Sequence, residues 1–200
     1  MFTKHRFFCY LIHNCKAPDE LRTNFGAVKA LATTGIRPDP STYLSREYID
    51  AHMKKFEKGA ACIMRRDHFE NYEHDPNLTD KFISTKQDIE ILLKEANGNI
   101  EYLKTRLGIT DKNYPKNLDG IYVIHFTPQQ VKNASIPSGN ESGANKFWIP
   151  GGNTASENAI GIPEIVIDCT HLPRGSFNSK YNNIKTLKEF YNGGIENENN

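Results

Sequence analysis

The sequence predicts a single α+β domain in which a small mixed or antiparallel sheet carries two to four packed helices. Three observations predict this class. Short runs rich in β-branched and aromatic residues, such as GIYVIHF (120–126) and EIVID (164–168), are typical of strands. Two apolar stripes at helical spacing follow one another over residues 85–108. No internal repeat divides the 200 residues, a length that suits one domain.

The first 42 residues carry the weakest signals. An apolar run at 7–12 is a strand candidate, and residues 17–31 have the pattern of a short helix. The segment GIRPDPS, with two prolines, then predicts a boundary loop. We therefore set residues 1–42 apart as an N-terminal appendage of unknown role.

The next segment predicts a helix over residues 46–58. Ile49, Met53 and Phe56 recur at helical spacing, and Gly59 follows as a stop. AACIM (60–64) predicts a short buried strand or turn. RRDHFENYEHDPNLTD (65–80) predicts a polar loop that leads into the strand-like KFIS (81–84).

The clearest helix in the chain begins after Thr85. Asp88 lies three residues on, which is the spacing of a capping box, and Asn97-Gly98 ends the helix. A second short helix ends at Gly108. Each helix has one apolar stripe, formed by Ile89, Leu92, Leu93 and Ala96 in the first and by Ile100, Leu103 and Leu107 in the second. The two predict a helical hairpin packed on the sheet.

The stretch SIPSGNESGANKFWIPGG (135–152) lies between two predicted strands and contains four glycines. Glycine and asparagine tolerate positive φ, so SGNESGAN predicts consecutive tight turns whose backbone amides could hold an anion. FWIP (147–150) predicts a short strand that buries Trp148, and GGNT predicts another turn. The chain becomes polar after Cys169, with a short helix at 185–191. We therefore place the domain at 43–175 and a polar C-terminal tail at 176–200.

Composition restricts the function only weakly. The formal net charge is +1, so nucleic acid or a membrane surface would have to be bound by a local patch. Lys4 and Arg6 precede an apolar run of six residues, which is shorter than the core of a signal peptide. We expect a soluble protein, a cytoplasmic or secreted effector, with no signal peptide and no membrane span. The scattered cysteines predict neither a zinc site nor a disulfide framework.

Four stretches carry a family resemblance: YIDAHMKKFEKGAACIM (48–64), FISTKQDIEILLKEANGNIEYLKTRLGI (82–109), IPSGNESGANKFWIPGG (136–152) and GIPEIVID (161–168). In this order they resemble a toxin domain found at the C-terminal ends of large bacterial polymorphic toxins, including filamentous-haemagglutinin-like proteins of contact-dependent competition. The resemblance implies an effector that acts inside a target cell. It also implies a cognate immunity protein as a partner.

A metal-independent ribonuclease is the first chemistry that the residues suggest. Such an enzyme needs a general acid and base and a cation beside the reacting phosphate. We interpret His52, Glu141 and Glu164 as the catalytic candidates. The candidates for contact with the RNA substrate are Asn140, Asn145, Lys55, Arg65 and Trp148.

An enzyme that uses NAD as its substrate is the alternative. ADP-ribosyltransferase-like toxins carry a Ser-Thr-Ser strand and a late glutamate. FISTK (82–86) matches that strand only in part, because Lys86 replaces the third residue. No Gln-x-Glu or Glu-x-Glu pair precedes FWIPGG, where Asn145-Lys146 stands instead. A purely structural interpretation of Ser84 and Thr85 is that they cap the following helix. No resident cofactor and no metal site are predicted, since His68 and His74 lie six residues apart. A non-enzymatic binding module or an inactive remnant also remains open.

Overall fold

The α+β prediction is confirmed by the computed structural model, which describes Val28 and residues 37–72, 80–156, 160–168 and 183–195. The strands are β1 (Ala60–Arg65), β2 (Asp80–Thr85), β3 (Ile121–Phe126), β4 (Asn153–Ala155), β5 (Ile160–Asp168) and β6 (Ile184–Thr186). The helices are α1 (Arg46–Lys54), α2 (Arg66–Tyr72), α3 (Lys86–Ala96), α4 (Ile100–Arg106) and α5 (Leu187–Ile195). The strands form one open sheet in the order β4-β5-β2-β1-β3-β6, and all neighbouring pairs are antiparallel.

The helix α1 begins at a cap and ends at a glycine. The hydroxyl of Ser45 accepts a hydrogen bond from the amide of Tyr48 at 3.2 Å. The helix stops at Lys54, four residues before the predicted end, and turns lead to Gly59 at φ +92°. A Cβ at Gly59 would lie 2.4 Å from the carbonyl oxygen of Phe126, so only glycine fits this approach to β3.

The predicted helical hairpin is confirmed as α3 and α4. The hydroxyl of Thr85 accepts from the amide of Asp88 at 3.0 Å, as the capping pattern predicts. Asn97 ends α3 in the left-handed conformation at φ +45°. Asn99 then caps α4 by accepting from the amide of Tyr102 at 3.0 Å. Both apolar stripes pack against the sheet, and of their residues only Leu107 is partly rather than fully buried.

Side chains alternate between the two faces of the sheet and form a core on each. The helices α3, α4 and α5 cover the face that carries Ala61 and Val123. On the other face, Phe56 from the turns after α1 packs against Cys62 and Ile165. Consecutive residues of β5 therefore face different environments, so Glu164 and Ile165 point to opposite sides.

Two predicted segments differ from the structure. Residues 66–72, predicted as a polar loop, form α2, in which Arg66 bonds to Glu70 at 2.8 Å and Phe69 packs edge-on against Tyr122. FWIP is a loop and not a strand, because the amide of Trp148 turns back to the carbonyl of Asn145 and Pro150 supplies no amide hydrogen. The strand in this region is β4, which begins in the predicted turn GGNT.

The ends of the chain are described only in part. The strand predicted at 7–12 and the helix predicted at 17–31 lie outside the described residues, except that Val28 is helical and buried. In the segment 176–200, β6 and α5 pack onto the domain, and Leu187 is fully buried in the core. Among the described residues, no helix has the length and apolar character to cross a membrane.

Candidate active site

A cleft of about 290 Å³ opens above β2 and β5. Two loops and β4 enclose it: residues 107–111 after α4, and residues 143–148 of the glycine-rich stretch. Its lining includes the aromatic residues Phe82, Phe147 and Trp148, and Glu164 from β5. We call this the outer cleft.

A smaller cavity of about 130 Å³ adjoins it, and we call this the inner cavity. It shares Phe82, Leu107, Ile109 and Glu164 with the outer cleft. The strand register explains the space. Glu164 pairs with Ser84 across β5 and β2, and Ser84 pairs with Ala61 across β2 and β1. The two small side chains beside the glutamate leave room between the sheet and the residues above it.

Glu164 is the ionisable residue that lines both cavities, whereas Asp111 lines the outer cleft alone. Among the described residues, no side chain bonds to or ion-pairs with its carboxyl group. Burial, and secondarily the negative charge of Glu141, raises the pKa of Glu164 to about 8. The carboxyl group is therefore mostly protonated at neutral pH and can donate a hydrogen bond.

Ser84 and Thr85 are neighbours with different tasks. Thr85 caps α3, and its hydroxyl also donates to Asp88 at 2.5 Å. The side chain of Ser84 takes no part in this cap, and it lines the inner cavity on the same face as Glu164. The helix cap therefore accounts for Thr85 but not for Ser84, which is a residue of the candidate site.

The loop 143–148 forms the wall of the outer cleft opposite the sheet. The amide nitrogen Nδ2 of Asn145 donates to the carbonyl of Gly108 at 3.0 Å, and its Oδ1 accepts from the amide of Phe147 at 2.8 Å. Asn145 thus ties the two loops of the cleft together. Trp148 is 7% exposed, which confirms the prediction that its ring is buried.

The predicted anion cradle exists, and the chain fills it with its own Glu141. One oxygen of Glu141 accepts from the amide and hydroxyl of Ser138 at 2.7 and 3.0 Å, and the other accepts from the amide of Gly139 at 2.7 Å. Gly139 has φ +85°, as expected for these turns. Glu141 therefore shapes the loop, and it is not among the residues that line either cavity.

His52 is not among the residues that line the two cavities. The ring is 2% exposed, between Tyr48 and Phe56, and its Nε2 bonds to the backbone carbonyl of Glu164 at 3.0 Å. Burial, together with the nearby charge of Lys55, lowers the pKa of His52 to about 4. A general base must reach the proton that it takes, so this geometry gives His52 a role in holding β5 rather than contact with a substrate.

The structure places the remaining candidates outside the two cavities. Arg65 is held by Asp67 and by Asp111, at 2.9 Å and 2.7 Å respectively, and only Asp111 lines the outer cleft. Asn140 bonds to the backbone of Arg37, and Lys55 is exposed at the end of α1. Of the predicted site residues, Glu164, Asn145 and Trp148 meet at the cleft.

Sequence reasoning gave too little weight to residues brought in by long-range pairing. Phe82 and Ser84 join the site because β2 pairs with β5, about 80 residues further along the chain. Asn153 and Thr154 of β4 also line the outer cleft. The available signal was the strand KFIS, in which Phe82 and Ser84 alternate with the core residue Ile83.

Comparison of the chain with protein-family models, with curated proteins and with solved structures found no match. What the domain does is therefore inferred from its residues and their geometry.

Proposed function

We propose that this domain is a toxin-like effector enzyme that breaks the bond between nicotinamide and ribose in NAD, by hydrolysis or by ADP-ribosyl transfer. The observation that supports it is Glu164, whose carboxyl group has no partner among the described residues. It lies beside Ser84 in a cavity that opens into a cleft walled by aromatic rings. A flat ring with a positive charge would fit both the apolar walls and the unpaired acid.

The charge of the substrate matches the environment of Glu164. Burial disfavours the ionised carboxylate in the empty site. The nicotinamide ring of NAD carries a positive charge, and a cation within a few ångströms favours the ionised form. Substrate binding would therefore lower the pKa of Glu164 and produce a carboxylate where the reaction needs one.

The reaction follows from these groups. When the bond from ribose C1′ to the ring nitrogen breaks, its electron pair leaves with nicotinamide, which becomes neutral. The ribose becomes an oxocarbenium-like cation, and the carboxylate of Glu164 would stabilise it. Water or an acceptor nucleophile then adds to C1′ and gives up a proton, which the carboxylate of Glu164 or the solvent takes. Ser84 would orient the substrate by a hydrogen bond from its hydroxyl group.

RNA cleavage has less support from the geometry and stays the second proposal. Of the three predicted catalytic groups, only Glu164 lines the cleft. Among the described residues that line the two cavities, none is lysine or arginine. An RNA strand needs cations along several phosphates, whereas the pyrophosphate of NAD needs a few at the rim, where Lys146 lies over the ring of Phe147 at 4.7 Å.

The biological role proposed here rests on the resemblance to polymorphic toxins. Loss of NAD would stop growth of a target cell, and an immunity protein would protect the producer by covering the cleft. Such a partner is part of the proposal and would bind across the loop 143–148.

The test is nicotinamide release from NAD by the purified full-length chain, with total RNA incubated in parallel. We expect nicotinamide release by the wild type and a loss of about 100-fold or more in Glu164→Gln. Glutamine resembles the protonated carboxyl group that the folded protein already holds, so this variant should fold. Glu57→Gln, an exposed glutamate after α1, is the matched control and should keep full activity.

Each other outcome has a definite meaning. RNA decay without nicotinamide release would favour the ribonuclease. Nicotinamide release that is equal in Glu164→Gln and wild type would remove Glu164 from the mechanism. No change in either substrate would contradict the enzyme and favour a binding module.

A further inference from the structure

Arg37 is bound to the loop that forms the outer cleft. Its backbone amide donates to Oδ1 of Asn140 at 2.8 Å, and Nδ2 of Asn140 donates to its carbonyl at 2.9 Å. One amide side chain thus satisfies both backbone groups of Arg37. Arg37 belongs to residues 1–42, which the sequence predicts to be an N-terminal appendage. The contact joins it to Asn140, 103 residues further along the chain.

The guanidinium of Arg37 packs against the wall of the cleft. It lies 4.2 Å from the centre of the Trp148 ring, and its Nη1 donates to the carbonyl of Gly139. A Cβ at Gly139 would lie 2.2 Å from this nitrogen and 2.6 Å from the tryptophan ring. Arg37, Gly139 and Trp148 are therefore in close contact, with no room for a larger side chain between them.

The same ring borders the substrate space. Trp148 lines the outer cleft. Arg37 does not line the cleft, and its guanidinium stacks on the Trp148 ring. Glu141 holds the amide of Gly139, so the turn is fixed between two charged groups. The Trp148 ring has no other charged group stacked on it among the described residues.

We propose that Arg37 is a positioning residue of the outer cleft, which holds Trp148 in place and thereby sets the affinity for substrate while leaving the chemical step to Glu164. The kinetic part of this inference rests on the proposed NAD-cleaving function. The structural part does not, because it concerns only where the tryptophan ring lies.

Tryptophan fluorescence tests the structural part without any activity. Trp148 is the only tryptophan of the chain, so its emission reports on this contact alone. We expect Arg37→Ala to shift the emission to longer wavelength and to raise quenching by acrylamide about twofold or more, because the ring gains contact with water. Arg46→Ala is the matched control, since the Arg46 side chain is 90% exposed and lies on α1. An unchanged spectrum in folded Arg37→Ala would overturn the proposal.

Steady-state kinetics tests the functional part. We expect Arg37→Ala to raise KM for NAD about tenfold, with kcat within about twofold of wild type. Arg37→Lys should recover part of the KM, because lysine keeps the charge over the ring and lacks the planar fork that reaches Gly139. A fall in kcat with KM unchanged, or a lower melting temperature with both constants unchanged, would contradict a positioning role.

The two readouts separate this proposal from the proposed function. If the wild type releases no nicotinamide, the NAD proposal fails and the fluorescence of Arg37→Ala still decides the contact. If Arg37→Ala does not fold, the fluorescence and KM of Arg37→Lys replace it, and wild-type values for both would overturn the role of Arg37.

Discussion

Glu164 shows how one residue can belong to two environments. Its carboxyl group faces the cavities, while its backbone carbonyl accepts from the buried ring of His52 at 3.0 Å. Its backbone amide donates to the carbonyl of Gly152 at 2.8 Å. The backbone contacts fix the strand, so the side chain can remain without a partner in the described structure. Glu164 is only partly exposed. An acid that is removed from water without a partner costs stability, and such groups are enriched at functional sites.

The role of His52 is tested by removing its ring. We expect His52→Ala to lower the free energy of unfolding by about 2–4 kcal/mol, because a buried ring and one hydrogen bond are lost. The rate of nicotinamide release per folded molecule should stay within about twofold of wild type. Urea unfolding measures the free energy of unfolding. Kinetics normalised to the concentration of folded protein measure the rate of nicotinamide release. Asp50→Ala, at an exposed position of the same helix, is the control. A loss of activity in folded His52→Ala would make His52 a catalytic candidate again.

At the scale of elements, the junction of β2 and α3 places a helix cap directly beside a residue of the candidate site. The last strand residue, Thr85, caps the helix, and the residue before it, Ser84, faces the inner cavity. Alternation along the strand separates the two side chains, because successive residues point to opposite faces. The helix start therefore fixes the strand end that carries the site.

Single substitutions at this junction should separate the two roles. Thr85→Ala should lower the free energy of unfolding by about 1 kcal/mol and leave kcat unchanged, since it removes a cap. Thr85→Ser should recover most of that stability. Ser84→Ala should instead lower nicotinamide release with little effect on unfolding. Thermal unfolding and kinetics of the three variants decide this, and equal effects of Ser84→Ala and Thr85→Ala on both quantities would refute the division.

At the scale of the whole molecule, two shifted groups act on stability in opposite directions. The pKa of Glu164 is about 8 in the folded chain, above its ordinary 4.5, so unfolding between these values releases a proton and stability falls as pH rises. The pKa of His52 is about 4, below its ordinary 6.5, so unfolding between these values takes up a proton and stability rises with pH. The two effects oppose each other from about pH 4.5 to 6.5, and of these two groups only Glu164 acts from 6.5 to 8.

Urea unfolding from pH 5 to 8.5 measures this linkage. Relative to wild type, Glu164→Gln should gain stability progressively as pH rises towards 8. The limiting slope is about 1.4 kcal/mol per pH unit, and water in the cleft should reduce it. Glu57→Gln should follow the wild-type curve. A constant difference between Glu164→Gln and wild type across this range would mean that Glu164 titrates normally in the folded protein.

The sequence by itself determined the features that depend on near neighbours. The cap of Thr85 with Asp88, the left-handed stop at Asn97 and the turns around Gly139 each involve residues at most a few positions apart. Their hydrogen bonds form whenever the local backbone adopts that shape, so residue type and spacing predict them. The strands near Ala60, Phe82, Tyr122 and Ile165 follow in the same way from β-branched and apolar runs.

Only the tertiary structure decided which of the predicted groups meet. Glu164 and Ser84 are neighbours because of the register between two distant strands, and a slip by one residue would point Glu164 into the opposite core. By residue type His52 and Glu141 are both catalytic candidates, yet one is enclosed by aromatic rings and the other is held by amides of its own turn. Burial and hydrogen-bond partners are set by packing between segments far apart in the chain, which residue type and spacing do not specify.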